Sequence, residues 1–173
     1  SNTDMGSAKT LGENANVVRI MSIHKSKGLE FTVVICSGMG KNFNNQDFRK
    51  SILYHHDLGY GPELVDYKRR ISYPSIAKEA LKSRINIENL SEEMRVLYVA
   101  FTRPKEKLII TGSSRDINKS ITSWSNGIGL NQPISKYKIL KGRSFLDWIM
   151  PSVLKHKDLE NIREMAEVDL DYI

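Results

Sequence analysis

The sequence predicts an α/β fold in which a mainly parallel sheet is flanked by helices. Three short apolar runs, at residues 17–23, 32–37 and 107–112, are rich in Val and Ile, as strands covered on both faces are. Between the second and third runs, residues 75–103 repeat apolar side chains every three or four positions, which is typical of an amphipathic helix. Short buried strands separated by a long helix favour this fold class.

Length and composition limit the chain to one moderate core. Its 173 residues are 40% hydrophobic and 27% charged, as in water-soluble globular domains. No apolar run approaches the roughly 20 residues that cross a bilayer, and the first residues lack the features of a signal peptide, so we expect a cytoplasmic protein with no membrane partner. The net charge of +6 fits either an anionic partner or an ordinary lysine-rich surface.

The chain begins with a predicted lead-in at residues 1–16, followed by the first strand and a polar loop. The loop carries hydroxyl, imidazole and ammonium groups, and Gly28 lets its backbone approach a ligand closely. This composition favours a phosphate-binding loop, although an ordinary solvated turn can have it too. The polar residues are Ser22, His24, Lys25, Ser26 and Lys27.

The second strand, residues 32–37, contains Cys36, which we interpret as a small core residue of a protein in a reducing compartment. Residues 42–74 show no sustained period and are predicted as a long loop. Its aromatic and basic side chains could hold single-stranded DNA, but packing of the rings against the domain is the preferred interpretation. The aromatic residues are Phe43, Phe48, Tyr54, Tyr60, Tyr67 and Tyr73.

The helical segment 75–103 changes register near its middle. We therefore expect two helices, or one helix kinked near residues 86–91, with Ser91 capping the second part. Pro104 should end the helix and leave Arg103 at its last turn, where a long cation can reach out of the domain.

Beyond the third strand, the pattern predicts two further helices and then a loss of structure. One short helix should run through Trp124, and a second should start at Ser144 and dock through its apolar face. After His156 the composition becomes acidic and polar, so we expect fraying or a linker.

Two segments match the motifs of a known enzyme class. Residues 22–31 read Ser-Ile-His-Lys-Ser-Lys-Gly-Leu-Glu-Phe, and residues 91–108 read Ser-Glu-Glu-Met-Arg-Val-Leu-Tyr-Val-Ala-Phe-Thr-Arg-Pro-Lys-Glu-Lys-Leu. They resemble, in the same order, motifs V and VI of superfamily 1 DNA helicases of the UvrD, PcrA, Rep and RecB type. The resemblance implies part of a RecA-like domain of the P-loop NTPase type.

Within this superfamily, most of the chain resembles the AddA family of bacterial helicase–nuclease subunits. The likeness extends to residues 38–44, 58–61, 70–74, 110–113 and 145–149. It implies that residues 17–113 are the C-terminal half of RecA-like domain 2A. Residues 1–16 would then be a flexible lead-in, and residues 114–173 a helical extension towards a nuclease domain absent from this chain.

The resemblance assigns nucleotide-binding roles to three residues. Arg103 corresponds to the motif VI arginine that reaches the γ-phosphate, and is the predicted catalytic residue. Glu30 corresponds to the motif V glutamate at the ribose, and Gly28 lies where the backbone approaches the phosphates. The nucleotide would be ATP with Mg²⁺, bound mainly by the absent domain 1A, and no metal-ligating set is predicted within the chain itself.

The resemblance also implies DNA-binding residues and partners. Ser22 and His24 correspond to positions that touch single-stranded DNA, and Lys25 lies beside them. The expected partners are single- and double-stranded DNA, domains 1A, 1B, 2B and nuclease of the same polypeptide, and an AddB-like subunit. The parent would be an ATP-dependent helicase and exonuclease acting in double-strand-break repair and recombination.

Three alternatives remain open from the sequence. The parent could be a UvrD- or PcrA-type repair helicase without a nuclease, or a non-catalytic nucleic-acid-binding module, or the chain alone could bind nothing appreciably. Because the chain contains neither a Walker A lysine motif nor a Walker B acidic pair, we expect it to be inactive in isolation.

Overall fold

The computed structural model describes residues 16–128 and 133–168. The predicted first strand, residues 17–23, is wrong: the chain is irregular up to Ser22, and Val18 and Ile20 are 95% and 98% exposed. An apolar β-branched run forms a strand only where a neighbouring strand completes its hydrogen bonds, and no described strand pairs with this one. The predicted lead-in lies outside the described residues except for Asn16.

A two-stranded parallel sheet joins the segments on either side of the long helix. Strand β1, Phe31–Cys36, pairs with β5, Pro104–Ile110, in a register that places Val34 opposite Leu108 and Cys36 opposite Ile110. The second and third predicted strands are therefore confirmed, and their parallel pairing agrees with the predicted fold class. Val34 and Cys36 face the core, and burial raises the pKa of the Cys36 thiol, as expected for an unreactive core residue.

A three-stranded antiparallel meander occupies the segment predicted as a long loop. Its strands are β2, Ile52–His55, β3, Gly59–Asp66, and β4, Ile71–Pro74, in the order β2-β3-β4. The loop prediction is therefore wrong for residues 52–74. Leu53 and His55 are buried while the residues between and beside them are exposed, which is the period of two that a half-covered strand requires.

Helix α1, Ile76–Phe101, is a single helix of 26 residues, so the alternative of two helices is wrong and that of one helix kinked near residues 86–91 stays a prediction. Its N-cap is Ser75, whose Oγ accepts the Lys78 N–H at 3.1 Å. Ser91 lies mid-helix and donates its hydroxyl to the carbonyl of Ile87. The helix ends at Phe101 before Pro104, as predicted, and β5 starts at the proline.

The change of register in α1 has a tertiary cause. Leu81, in its first half, packs where the helix contacts β2 and β3, whereas Leu90 and Leu97 belong to the main core. Because the two halves of the helix pack against different neighbours, the apolar stripe shifts round the axis of one continuous helix.

Within the described part of the chain, four shorter helices follow β5 and complete the core. They are α2, Ile117–Ser125, α3, Lys136–Lys141, α4, Phe145–Val153, and α5, Glu160–Met165. Helices α2 and α4 confirm the two predicted after the third strand. The segment after His156 was predicted to fray or to form a linker, but its residues 157–165 form a 3₁₀ turn at Lys157–Leu159 followed by α5. Its last five residues lie outside the described ranges.

The main core lies between the parallel sheet, α1 and the C-terminal helices. Ile121 of α2 and Leu154 at the end of α4 are fully buried, and the two tryptophans, Trp124 and Trp148, are nearly so. Each indole N–H finds an acceptor, Trp124 on Asp147 and Trp148 on the Ile139 carbonyl, both at 2.8 Å. Within the described residues, no helix is long and apolar enough to cross a membrane.

Candidate functional site

Ser22 opens the polar loop as the N-cap of a 3₁₀ turn, Ile23–Ser26. Its Oγ and its carbonyl oxygen both accept the N–H of Lys25, at 3.4 and 3.0 Å. Ser26 is buried and donates its hydroxyl to the Ile23 carbonyl at 2.6 Å. Two serines therefore fix a short turn where the end of a strand was predicted.

Gly28 leaves an open surface at the end of this turn. Its φ of +83° lies in the left-handed region that glycine adopts without steric cost. No atom outside its chain neighbours lies within 4 Å of the position that a Cβ would take. A ligand can therefore approach the backbone here, and a phosphate-binding role for this loop stays a prediction.

Arg103 lies just beyond the end of α1, and its guanidinium contacts the same loop. The Nη1 group donates to the Leu29 carbonyl at 3.0 Å, Nε donates to the Val99 carbonyl at 3.1 Å, and Nη2 donates to Thr102 Oγ1 at 2.9 Å. All three acceptors are neutral, and within residues 16–128 and 133–168 the guanidinium has no carboxylate partner. Its positive charge is thus held in position without being neutralised.

The main chain joins the two motif segments as well. The N–H of Phe31 donates to the Arg103 carbonyl at 3.0 Å, and Phe31 is paired with Pro104 where β1 and β5 begin. The amino ends of two parallel strands therefore bring Gly28 and Arg103 to the same edge of the sheet, although 74 residues separate Arg103 from Leu29.

Glu30 lies at this edge with its carboxylate exposed to solvent. Its Oε2 is 3.2 Å from Nζ of Lys105, and both side chains are more than half exposed. An exposed pair of this kind contributes about 0–1 kcal/mol, so the carboxylate can exchange its partner at little cost.

The three residues predicted to touch DNA are all exposed on the 3₁₀ turn and its cap. Ser22, His24 and Lys25 precede Gly28 on the same loop, so they lie beside the edge where Arg103 docks. Sequence reasoning missed Thr102 and Lys105, which hold Arg103 and Glu30. The signal available for Thr102 was its position directly before Arg103, whereas nothing in the sequence links Lys105 to Glu30.

The aromatic residues between Asn42 and Pro74 have two different environments. Phe43 packs against Phe145 and Trp148, with ring centroids 5.1 and 5.0 Å apart, as the packing interpretation predicts. Tyr54 and Tyr60, however, contact each other across β2 and β3 on the exposed face of the meander. The possible role of these rings in stacking on DNA stays a prediction.

A histidine cluster at the β2–β3 turn brings possible metal ligands together, but its bonds indicate a structural role. Ligand atoms of His55, His56 and Asp57 lie within 4.8 Å of one another. However, Nδ1 of buried His55 accepts the N–H groups of Asp57 and Leu58, and its Nε2 lies 3.1 Å from Glu88 Oε2. Both ring nitrogens therefore serve to fix the hairpin turn on α1. Partial burial alone would raise the pKa of Glu88, but the neighbouring His55 and Arg84 lower it below the usual range.

A protein-family model covers the part of the chain that contains the two motif segments. The model of the UvrD-like helicase C-terminal domain matches residues 3–115, which include both motif segments and both parallel strands. The chain belongs to the UvrD-like helicase C-terminal domain family. Its RecA-like, α/β fold class agrees with the prediction.

Relatives of this UvrD-like domain share one name. The chain is 78% identical over its whole length to the AddA subunit of the ATP-dependent helicase/nuclease of Clostridioides difficile. Proteins of the same name from Thermoanaerobacter pseudethanolicus and Clostridium acetobutylicum are 64% and 59% identical over 98% of the chain. The chain spans only 13–14% of the length of these relatives, so their activities concern polypeptides about seven times longer.

Proposed function

We propose that this UvrD-like domain forms one wall of an ATP-binding cleft in an AddA-type helicase–nuclease, and that the opposite wall lies elsewhere in a longer polypeptide. The observation that carries the proposal is the bond between the Arg103 guanidinium and the Leu29 carbonyl, beside the open backbone of Gly28. These contacts bring an unneutralised cation and an accessible glycine turn to one edge of the parallel sheet.

Arg103 has the chemistry that phosphoryl transfer requires. A guanidinium is permanently charged and can bind two phosphate oxygens at once, which an ammonium group cannot do in the same geometry. Its present partners are neutral oxygens, so exchanging them for the γ-phosphate of ATP gives stronger, charge-assisted hydrogen bonds. In analogous enzymes such an arginine accelerates the reaction by about three to five orders of magnitude.

Gly28 and Glu30 complete the nucleotide-binding face of this domain. The Gly28 backbone would lie against the phosphates, and the Glu30 carboxylate would accept a hydrogen bond from a ribose hydroxyl after leaving Lys105. Mg²⁺ would bind mainly to the domain that supplies the other wall, because the three residues of this face offer one exposed carboxylate between them.

The DNA track would run over the 3₁₀ turn. A hydroxyl, an imidazole and an ammonium group on Ser22, His24 and Lys25 can hold a DNA backbone without reading its bases. Since this turn leads directly into Gly28, closure of the cleft on ATP would move the strand contacts together with the phosphate contacts. This coupling is what translocation along one strand requires.

The longer protein would act with DNA, its own remaining domains and a second polypeptide. We expect these to be domains 1A, 1B, 2B and nuclease, with an AddB-like partner, in cytoplasmic double-strand-break repair and recombination. The relatives share a name that describes one subunit of an ATP-dependent helicase/nuclease, which supports an ATP-driven enzyme with a partner.

Substitution of Arg103 in the full-length protein tests the proposal. Arg103→Ala and Arg103→Lys should each lower ATP turnover by about a thousandfold or more, because neither side chain binds phosphate oxygens bidentately. Affinity for single-stranded DNA, measured by fluorescence anisotropy, should stay within about threefold of the unmodified protein. The control is Arg95→Ala on the solvent face of α1, where the exposed guanidinium pairs with Glu92.

ATP turnover that survives in both Arg103 variants, at normal melting temperatures, would show that Arg103 is not part of the nucleotide site. A non-catalytic nucleic-acid-binding module predicts that outcome. Loss of turnover in the Arg95→Ala control would instead indicate a general effect of removing positive charge.

A further inference from the structure

A polar cavity lies at the end of the parallel sheet opposite to the motif loops. Strands β1 and β5 run in the same direction, so the motif loops lie at their amino ends and residues 38–42 and 111–115 lie at their carboxyl ends. A strand of six or seven residues separates the two edges by about 20 Å. The cavity has a volume of about 630 Å³, and open α/β sheets commonly bind ligands at this edge.

Two glycines bring the loops of this cavity into contact. A Cβ on Gly40 would overlap the carbonyl oxygen of Ser113, and one on Gly112 would lie 2.7 Å from a methyl group of Leu146. The Met39 N–H also donates to the Thr111 carbonyl at 3.0 Å. The backbones of the two loops therefore meet at Gly40 and Ser113, which both line the cavity.

Asp147 lies in the wall of the cavity, and both of its carboxylate oxygens already accept hydrogen bonds from the protein. Its Oδ1 accepts the indole N–H of Trp124 at 2.8 Å, and its Oδ2 accepts the N–H groups of Arg143 and Ser144 at 2.7 and 3.0 Å. These bonds also fix the start of α4 and the end of α2 relative to each other. The only carboxylate in the described lining is thus committed to the scaffold.

Two arginines provide positive charge that no described carboxylate neutralises. The side chains of Arg115 and Arg143 line the cavity and are exposed, and neither guanidinium has a partner among the described residues. The backbone of Arg143 is anchored on both sides, since its N–H binds Asp147 and its carbonyl accepts the Phe43 N–H at 2.7 Å. A fixed backbone with a free guanidinium suits capture of an anion.

We propose that this cavity binds a phosphate group of a nucleic-acid backbone. The two guanidinium groups can each bind phosphate oxygens bidentately. Ser113 also lines the cavity, whereas the hydroxyls of Ser114 and Ser120 are already bonded to each other and donate to the Asp116 carbonyl. The one aromatic side chain in the described lining, Trp124, is buried and its N–H is bound to Asp147, so the cavity offers no exposed ring on which a base could stack.

The choice of nucleic acid over an acidic peptide rests on the proposed function, in which a DNA strand passes over this domain. The cavity itself is additional to that function, because it lies at the far edge of the sheet from Ser22, His24 and Lys25. It would hold a second stretch of the strand, or of the duplex ahead of it, independently of sequence.

Salt-dependent DNA binding by the chain tests the cavity. The variant with Arg115→Gln and Arg143→Gln should bind labelled oligodeoxythymidine of about 15 nucleotides roughly tenfold more weakly. The slope of log affinity against log salt should fall by about 0.7 in the double variant, because one phosphate contact is lost. The matched control is Arg84→Gln on α1, an exposed guanidinium outside both motif segments and the cavity, which should leave the slope unchanged.

NMR of the unmodified chain provides a second measurement that does not depend on variant folding. The arginine Nε–H signals of Arg115 and Arg143 should shift when the oligonucleotide is added, and polyglutamate at matched charge should not produce the same shifts. Unchanged salt slopes in the double variant, unshifted signals, or equal shifts with polyglutamate would each overturn the assignment to a nucleic-acid backbone.

The motif loop is tested separately with Lys25→Gln. If that variant weakens DNA binding and the double arginine variant does not, the proposed function stands and the cavity assignment fails. If the arginine variant alone weakens binding, the cavity assignment stands and the proposed DNA contact at Lys25 fails.

Discussion

Single residues make the contacts between parts of this domain that are distant in sequence. Arg103 joins the end of α1 to the motif loop through the Leu29 carbonyl. Gly61 has a comparable role on the other sheet, because a Cβ there would lie 2.7 and 2.8 Å from backbone atoms of Lys78. The absence of a side chain at one position thus allows β3 to contact the first turn of α1.

We predict that Gly61→Ala destabilises the domain by about 2–3 kcal/mol, because backbone atoms of α1 cannot yield as a flexible side chain can. The comparison is Gly59→Ala in the same hairpin, where a Cβ meets nothing within 4 Å and the cost comes only from φ of +80°. That cost should be about 1–2 kcal/mol. Urea unfolding measures both, and equal costs would contradict the close approach at Gly61.

At the scale of elements, α1 connects the two sheets. Its 26 residues extend roughly 39 Å. The first half is tied to the meander by the ion pair of Lys78 and Glu63 at 2.5 Å and by the contact of Glu88 with His55. The second half packs in the main core and ends just before Arg103. The helix therefore sets the position of the motif VI arginine relative to the meander.

The capping of α1 gives a prediction with an internal control. Ser75→Ala should destabilise the domain by about 1 kcal/mol, because the Lys78 N–H loses its side-chain acceptor. Ser91→Ala should be neutral or slightly stabilising, since Ser91 lies mid-helix and its hydroxyl only doubles a bond to the Ile87 carbonyl. Thermal unfolding distinguishes the two, and a larger loss at Ser91 would support a broken helix.

The molecule as a whole leaves one face of its parallel sheet uncovered by described residues. Val33 and Ile35 of β1 are 49% and 64% exposed, while their neighbours Val34 and Cys36 face the core. Parallel sheets are normally covered on both faces. An open apolar face of this kind favours association between molecules.

We predict that Ile35→Lys changes the unfolding free energy by no more than about 0.5 kcal/mol and reduces self-association measured by sedimentation velocity. The matched change one residue earlier, Val34→Lys, places a charge towards the core and should cost at least about 2 kcal/mol. Similar losses in the two variants would show that the face of Ile35 is covered in solution.

Much of the fold could be predicted where the signal is local. Apolar periodicity indicated α1, α2 and α4, and the apolar runs indicated β1 and β5, because burial of one face leaves a pattern in the residues themselves. The predicted strand at residues 17–23 had the same pattern but no described partner, and the meander had turn residues that were interpreted as a loop. Periodicity reports burial, whereas a strand also needs a neighbour that the pattern does not specify.

For the candidate site, the sequence by itself determined which chemical groups are present: the serines, imidazole and glycine of one motif and the arginine that follows a helix before a proline. Only the tertiary structure decided that Arg103 binds the Leu29 carbonyl, and that Arg115 and Arg143 line a cavity at the other edge of the sheet. The physical reason is that parallel pairing of β1 with β5 requires the whole of the intervening chain to fold between them. Side-chain identity is local, but the positions at which distant side chains meet are fixed by that pairing.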